Sequence, residues 1–204
     1  MLAARAIVAN LDVFDHPSAA TPSRVLPNPW QLDPAVPDST VPQVFLVVAR
    51  KPGWVKVMLP IRPNGTTGWV HARDVTLSPI AFRIRVELRA HRITVLENHR
   101  VRYQGPVAVG KPATPTPAGH YYIRVLIKAP DPTTVYGPYA YGLSSHSDAY
   151  ATFDGGDAEI GIHGNNDPSV LGHDATHGCI RIDNTEIADL AGVLPLGTPV
   201  DVVS

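Results

Sequence analysis

Two neighbouring segments decide the fold and the chemistry of this chain, Ile160-Gly-Ile-His-Gly164 and Thr176-His-Gly-Cys-Ile-Arg-Ile182. The second segment holds the single cysteine of the 204 residues. If both segments are strands, their two-residue period places Ile160 and Ile162 on one face and His163 on the other. Two such strands side by side bring an imidazole to a thiol. The sequence therefore predicts a cysteine nucleophile with a histidine partner.

The residues around Cys179 fit acyl transfer. Only a thiolate attacks well, and a neighbouring imidazole can take the proton, stabilise the thiolate and later protonate a leaving amine. Gly178 permits a tight turn, which can direct the amides of residues 178–180 toward an oxyanion. The alternative is an unreactive buried cysteine, since free cysteine is among the most buried residue types. The flanking Thr-His-Gly and Ile-Arg favour the nucleophile.

These segments carry a resemblance to a known family. Ile162-His-Gly-Asn-Asn166 followed by Thr176-His-Gly-Cys-Ile-Arg181 is similar to the signature of the L,D-transpeptidases of the YkuD type. In that signature a histidine precedes Ser/Thr-His-Gly-Cys, and here the spacing is 179 − 163 = 16 positions. Val109-Gly-Lys-Pro-Ala-Thr-Pro-Thr-Pro-Ala-Gly119 resembles the family's threonine- and proline-rich stretch. The resemblance covers roughly residues 82–204.

The resemblance implies a role for each matching residue. Cys179 is the nucleophile, His163 is its proton partner, and the Gly164 carbonyl orients that imidazole. His177 lines the site and stabilises charge or substrate, and Gly178 shapes the oxyanion hole together with the Cys179 amide.

Further residues are candidates for substrate binding. Arg181 lies on the Cys179 face, where it can lower the thiol pKa or bind a carboxylate with both guanidinium nitrogens; an ion pair with Asp183 is the alternative. Thr176 is expected to brace the backbone. The segment 135–146 resembles the family's flap over the donor groove, which makes candidates of Tyr139, Tyr141, Ser144 and His146, although a solvated tyrosine-rich loop is the competing interpretation.

The resemblance implies a two-step reaction. Cys179 attacks the carbonyl of a diamino residue joined to a terminal D-alanine, and a second stem peptide's amine attacks the resulting thioester to give a 3→3 cross-link. The alternatives are an L,D-carboxypeptidase that uses water, a non-catalytic peptidoglycan-binding protein and, more distantly, a redox-sensing thiol. The implied partners are peptidoglycan stem peptides, and neither a metal nor an organic cofactor is implied. Carbapenems are expected to acylate the same thiol.

Composition places weaker limits on the function and localisation of the chain. The formal net charge of −1 gives no basic footprint for nucleic acid. One cysteine excludes an intrachain disulfide and a zinc site built on several thiolates. No apolar run is long enough to span a bilayer, and the opening residues 1–9 do not resemble a signal peptide. The family resemblance nevertheless implies a wall-facing enzyme of the cell envelope.

The N-terminal residues 1–80 are predicted to form a separate β domain. Short strands alternate with turns such as Arg50-Lys-Pro-Gly53 and Asn64-Gly65, and Gly-Trp-Val occurs at 53–55 and 68–70. This pattern resembles a bacterial SH3-like barrel, which implies either peptidoglycan binding or a packing role without a ligand.

Residues 81–204 are predicted to form the catalytic domain. The pattern is mainly β, with alternation in Arg83-Ile-Arg-Val-Glu-Leu88, and the resemblance gives a YkuD-like β-sandwich. One peripheral helix is expected after the cysteine strand, capped by Asp183 or Asn184 and ended by Pro195 and Gly197. Such a helix would anchor the end of the strand that carries Cys179.

Overall fold

The structure is a computed structural model that describes residues 1–33, 36, 38–152 and 156–204. Over these residues it contains nineteen strands and a single α-helix. The prediction of a mainly β chain with one helix is confirmed.

The first nine strands form what we call the N-terminal module. They are β1 (Leu2–Ala6), β2 (Asn10–Val13), β3 (Arg24–Pro27), β4 (Trp30–Gln31), β5 (Thr40–Val41), β6 (Val44–Lys51), β7 (Trp54–Met58), β8 (Thr67–His71) and β9 (Val75–Pro79). Five of them make one sheet in the order β8-β7-β6-β1-β9, and β2-β3 and β4-β5 are small hairpins.

The sheet of the N-terminal module curls around its own core. The chain runs from β1 into β2, and Phe14, just beyond β2, exchanges two backbone hydrogen bonds of 2.8 and 2.7 Å with Trp69 in β8. The segment from β1 to Phe14 therefore pairs at its start with β6 and β9 and at its end with β8, the edge strand at the other side of the sheet. The enclosed core includes Leu11, Phe45 and Val57, all fully buried.

The remaining strands form the C-terminal module. They are β10 (Phe82–Glu87), β11 (Arg92–Glu97), β12 (Arg100–Pro106), β13 (Val109–Gly110), β14 (Gly119–Lys128), β15 (Tyr139–His146), β16 (Glu159–His163), β17 (Asp174–Thr176), β18 (Ile180–Arg181) and β19 (Pro199–Val203). Eight of them form a mixed sheet in the order β12-β11-β10-β19-β14-β15-β16-β18, while β13 pairs with β17.

Strand β14 connects the two halves of this sheet. Its residues 119–122 pair with β19, and its residues from Ile123 onward pair with β15. The two edges also meet, because Ala108, which follows β12, exchanges backbone hydrogen bonds of 3.0 and 2.9 Å with Arg181 in β18. The halves therefore enclose a common core.

Alternation of buried and exposed residues explains why β10 forms a strand of this module. In β10 the side chains of Ile84 and Val86 are buried, whereas Arg83 and Arg85, which alternate with them, are exposed. Burying one apolar face on each half of the sheet supplies the main stabilisation of the module. The same period places Ile160 and Ile162 of β16 in the core.

The helix α1 (Asn184–Ala191) directly follows the strand after Cys179. Asp183 is its N-cap, because its carboxylate accepts a hydrogen bond of 2.8 Å from the Thr185 backbone N–H. Ile187 and Leu190 are the buried side chains of the helix and join the core. The helix ends with Gly192 as its C-cap, a few residues before Pro195.

The two modules share a packed boundary. Tyr122 of β14 is fully buried and belongs to the core of the N-terminal module, and Phe82 packs against both cores. A Cβ atom added to Gly197 would lie 2.7 Å from the Ala3 Cβ, so the chains approach too closely there for any side chain. None of the helices in the described parts of the chain is long and apolar enough to cross a membrane.

Candidate active site

The two segments that carry the cysteine and histidine lie next to each other. Strand β16 pairs with β18 in parallel, with Ile162 opposite Ile180 and His163 opposite Arg181. Cys179 immediately precedes β18. The adjacency predicted from the sequence is therefore present, and the core-facing isoleucines on both strands fix which side chains reach the opposite face.

His163 and Cys179 line one pocket of about 270 Å³. His177, Thr176 and Arg181 also line it. The pocket wall is completed by Val135, Tyr136, Ser147, Tyr150, Ala158, Glu159 and Ile160. A thiol, two imidazoles and a guanidinium thus meet in one cleft.

The His163 imidazole is held in one tautomer. Its Nδ1 lies 2.7 Å from the Gly164 carbonyl oxygen, and because a carbonyl only accepts, Nδ1 carries the proton. Nε2 is then the nitrogen that can accept a proton. Burial lowers the pKa of His163 to about 4; the Arg181 charge acts in the same direction, and hydrogen bonds to the backbone of Gly164 and Val135 oppose this only in part. The ring is therefore neutral at pH 7.

The Cys179 thiol is also neutral at rest. Burial raises its pKa, whereas the Gly161 backbone amide and the Arg181 charge act in the opposite direction. A neutral thiol beside a neutral imidazole differs from a preformed ion pair. For two neutral groups, any proton transfer from the thiol to the imidazole would accompany an attack by the sulfur rather than precede it.

The turn before Cys179 is held by a chain of hydroxyl contacts. Gly178 has a φ of +124°, a conformation that favours glycine. The Thr176 hydroxyl donates to the Cys179 carbonyl at 2.6 Å and accepts from the Gly178 N–H at 3.1 Å. The Cys179 N–H, in contrast, makes no backbone hydrogen bond within the described residues.

The threonine- and proline-rich stretch packs behind this turn. Thr116 donates to the Gly178 carbonyl at 2.8 Å and accepts from the Gly110 N–H at 2.9 Å, and Thr114 donates to the Thr176 carbonyl at 3.2 Å. Thr114 and Thr116 are buried. The sequence singled out this stretch by resemblance alone, and the structure gives it contacts with the cysteine turn.

Helix α1 is tied to the histidine strand. The Asn184 side chain accepts from the Asn165 N–H at 2.8 Å and donates to the Asn165 carbonyl at 2.9 Å. A Cβ atom added to Gly164 would lie 2.2 Å from the Asn184 Oδ1, so this approach requires glycine at position 164. The helix thereby holds the segment whose carbonyl orients His163.

The prediction of a flap over residues 135–146 is wrong for the second half of that range. Residues 139–146 form β15, a central strand between β14 and β16. Tyr141 is buried and donates to the Leu190 carbonyl at 2.7 Å, while Ser144 accepts from the Tyr122 N–H at 3.1 Å. His146 is fully buried, and Tyr139 packs against the core. None of these four side chains lines the pocket.

Two tyrosines that were not predicted from the sequence line the pocket, Tyr136 and Tyr150. The Tyr136 ring lies 5.1 Å from the His163 ring, and Tyr150 contributes to the wall beyond β15. The available signal was Gly137-Pro138, which marks where the loop ends and the strand begins. The loop tyrosine before that break was the better candidate.

Among the described residues no cluster of three or more potential metal ligands occurs.

Comparison with known proteins agrees with this geometry. Residues 81–202 match the family model of the L,D-transpeptidase catalytic domain of YkuD type. The chain is 31% identical over 154 residues to a protein of Bacillus licheniformis assigned as the L,D-transpeptidase YkuD, a match that covers 72% of this chain and 85% of that relative. It is 34% identical over 123 residues to the corresponding Bacillus subtilis protein, covering 60% of this chain and 66% of the relative.

Solved structures show the same fold at lower identity. One is L,D-transpeptidase 3 from Mycobacterium tuberculosis with a faropenem-derived adduct, with 16% identity, a TM-score of 0.51 and coverage of 78% of this chain and 93% of that one. Another is the L,D-transpeptidase LdtMt1 in complex with imipenem, with 18% identity, a TM-score of 0.52 and coverage of 78% and 94%. The family match, the curated relatives and the cysteine–histidine cleft agree, and the chain belongs to the YkuD family of L,D-transpeptidases.

Proposed function

We propose that this L,D-transpeptidase forms 3→3 cross-links with Cys179 as its nucleophile and His163 as its proton carrier. The observation that carries this proposal is the fixed tautomer of His163, whose Nδ1–H donates to Gly164 and leaves Nε2 to accept a proton. A neutral imidazole that lines the same cleft as a neutral thiol is suited to accept the thiol proton as the sulfur attacks.

The first step forms a thioester. The Cys179 sulfur attacks the carbonyl carbon between the diamino residue and the terminal D-alanine of a tetrapeptide stem, while the thiol proton passes to His163. The resulting oxyanion is stabilised by the Cys179 N–H, whose freedom from backbone pairing in the described residues supports this role. When the C–N bond breaks, His163 returns the proton to the departing amine of D-alanine.

The second step uses a second stem peptide. Its side-chain amine attacks the thioester and gives a proton to His163, because an ammonium group is not a nucleophile. The sulfur leaves and is reprotonated. Tyr136 covers the His163 ring, and such shielding favours an amine over water as the acceptor.

The other pocket residues act on binding and positioning. His177 lines the cleft and stabilises charge or substrate, while Thr176 and Gly178 hold the turn that aims the Cys179 amide. Arg181 lines the same pocket, and its Nε is buried without a hydrogen-bond partner in the described residues. A guanidinium with an unpaired Nε beside the nucleophile is suited to bind a stem-peptide carboxylate. We assign no substrate contact to Tyr139, Tyr141, Ser144 or His146.

The N-terminal module is proposed to be an SH3-like barrel of residues 1–80 that binds the wall, followed by a catalytic domain of residues 81–204. The curled sheet supports the barrel. A cluster of Phe14, Trp54 and His71, in which the Trp54 and His71 rings lie 4.0 Å apart, offers a stacking surface. The family faces the wall, so we place the chain outside the membrane in the cell envelope.

One experiment tests these proposals together. The full chain is incubated with purified insoluble peptidoglycan, and the digested muropeptides and free D-alanine are measured by mass spectrometry. We expect tetrapeptide–tripeptide dimers, equimolar D-alanine and sedimentation of the protein with the wall. Tripeptide monomers without dimers would make the enzyme an L,D-carboxypeptidase. Protein that stays in the supernatant would refute wall binding.

A further inference from the structure

An arginine of the N-terminal module holds a loop of the C-terminal module. Arg62 lies between β7 and β8. Its Nη1 donates to the Ser147 carbonyl at 2.7 Å, and its Nη2 donates to the carbonyls of Tyr150 and Asp157 at 2.9 and 3.1 Å. A planar guanidinium can bind several carbonyls at once, which the single ammonium of lysine cannot do in the same geometry.

A second residue of the same turn holds the end of β15. The Asn64 side chain donates to the His146 carbonyl at 2.8 Å and accepts from the His146 N–H at 2.8 Å. This two-way pairing imitates the bonding of a neighbouring strand. Because backbone groups at a strand end need partners, Asn64 fixes where β15 stops and the loop begins.

The loop held in this way is a wall of the active-site pocket. Ser147, Tyr150 and Ala158 all line the pocket that contains Cys179. Inside the loop, the Ser147 hydroxyl accepts from the N–H of Tyr150 at 3.2 Å, and the Ser147 N–H donates to the Ala158 carbonyl at 2.9 Å. The contacts of Arg62 therefore reach residues that face the substrate space.

A separate contact supports the same wall from another side. The Arg124 guanidinium lies 3.7 Å from the ring centre of Trp30, a nearly buried residue of the N-terminal module. Arg124 also pairs with Glu159, which lines the pocket. A cation held on an aromatic face is restricted in orientation, so Trp30 helps to place the Glu159 carboxylate.

We propose that the N-terminal module is a structural part of the donor pocket, in which Arg62 and Asn64 are positioning residues that fix the wall formed by residues 146–152 and 156–158 for the stem peptide. This inference rests on the proposed stem-peptide donor. It assigns the module a role in substrate affinity that is independent of any wall binding. Neither residue touches the reacting atoms, so their loss changes binding much more than the chemistry of the thiol.

The test measures binding without turnover. A synthetic tetrapeptide stem is titrated calorimetrically into the full chain carrying Cys179→Ala, and then into the same chain with Arg62→Ala added. We expect the Kd to rise about tenfold, as for the loss of hydrogen bonds to a charged donor. Arg73→Ala is the matched control, because Arg73 belongs to the same module, is 80% exposed and pairs only loosely with Asp74 at 3.8 Å. The control is expected to leave the Kd unchanged.

The outcomes separate the inference from the proposed function. An equal Kd for Arg62→Ala and its parent, or an equal rise in Arg73→Ala, overturns the inference. If Arg62→Ala does not fold, Asn64→Ala decides by the same comparison. A parent that binds no tetrapeptide refutes the proposed donor, and hydrogen exchange of residues 146–152 then decides the anchoring. Faster exchange in Arg62→Ala than in Arg73→Ala supports it, and equal exchange overturns it.

Discussion

The neutral state of His163 is the residue-level feature on which the mechanism depends. The residue is only 3% exposed, and its Nδ1–H donates a hydrogen bond to the Gly164 carbonyl. Water therefore cannot stabilise an imidazolium in the resting protein. In the proposed mechanism the proton therefore reaches His163 only when the sulfur attacks.

This burial predicts a pH dependence of stability. The folded pKa of about 4 lies below the ordinary value of 6.5, so between these values the unfolded chain binds more protons at this site. Stability from this group is therefore complete above pH 6.5 and is lost as pH falls toward 4. The loss reaches roughly 3 kcal/mol below pH 4, where the ring is protonated in the folded state as well.

Chemical denaturation at several pH values measures this effect. His163→Gln is expected to have a shallower fall in unfolding free energy between pH 6.5 and 4 than the wild type. His173→Gln is the matched control, since His173 is an exposed loop histidine, and it should follow the wild type. Parallel curves for the wild type and His163→Gln would show that His163 is not buried as a neutral ring.

At the scale of elements, the cysteine turn is supported from behind by the stretch of residues 109–119. The Thr116 hydroxyl is buried and serves two backbone groups, at Gly178 and Gly110. Thr116→Val keeps the shape of the side chain but leaves the Gly178 carbonyl and the Gly110 N–H without this partner. We expect a loss of about 1–3 kcal/mol in unfolding free energy.

The same substitution should also slow the chemistry, because the turn sets the direction of the Cys179 amide. We expect the rate of thiol acylation to fall by about tenfold, which corresponds to about 1.4 kcal/mol. Thr76→Val is the control, since Thr76 is exposed on β9 in the other module. An acylation rate equal to that of the wild type, in a folded Thr116→Val protein, would refute the bracing role.

Elements also show what the sequence could and could not predict. The period of two in residues 160–163 correctly placed two isoleucines in the core and His163 beside the cysteine strand. The capped helix could also be predicted from local sequence, because the Asp183 carboxylate bonds to a backbone N–H only two residues further along the chain. Both signals depend on neighbours in sequence.

The misplaced flap has a physical reason. The tyrosine- and glycine-rich segment 135–146 was predicted to be a flap by its resemblance to the family, yet residues 139–146 form a strand that lies between two others. A Cβ atom added to Gly142 would lie 2.7 Å from a Val125 methyl group. Glycine in this position therefore reflects close packing rather than a turn. Without the sheet order, composition alone cannot distinguish these two uses.

For the whole molecule, the contacts between modules were beyond the reach of any local pattern. Arg62 and Ser147 are 85 residues apart, and neither the charge nor the turn sequence around Arg62 indicates its partner. The active-site cleft is thus assembled from the cysteine turn, the histidine strand and a wall that the first 80 residues help to hold. These contacts support the proposal that the two modules act as one enzyme rather than as a catalyst on a tether.

Intact-protein mass spectrometry after incubation with a carbapenem tests the central claim most directly, that Cys179 is an activated acyl acceptor. The wild type is compared with Cys179→Ala, with both proteins shown to be folded by circular dichroism. We predict a single covalent adduct on the wild type and none on Cys179→Ala. A folded wild type that gains no adduct at several pH values, or an adduct that persists in Cys179→Ala, would contradict the assignment of Cys179 as the nucleophile.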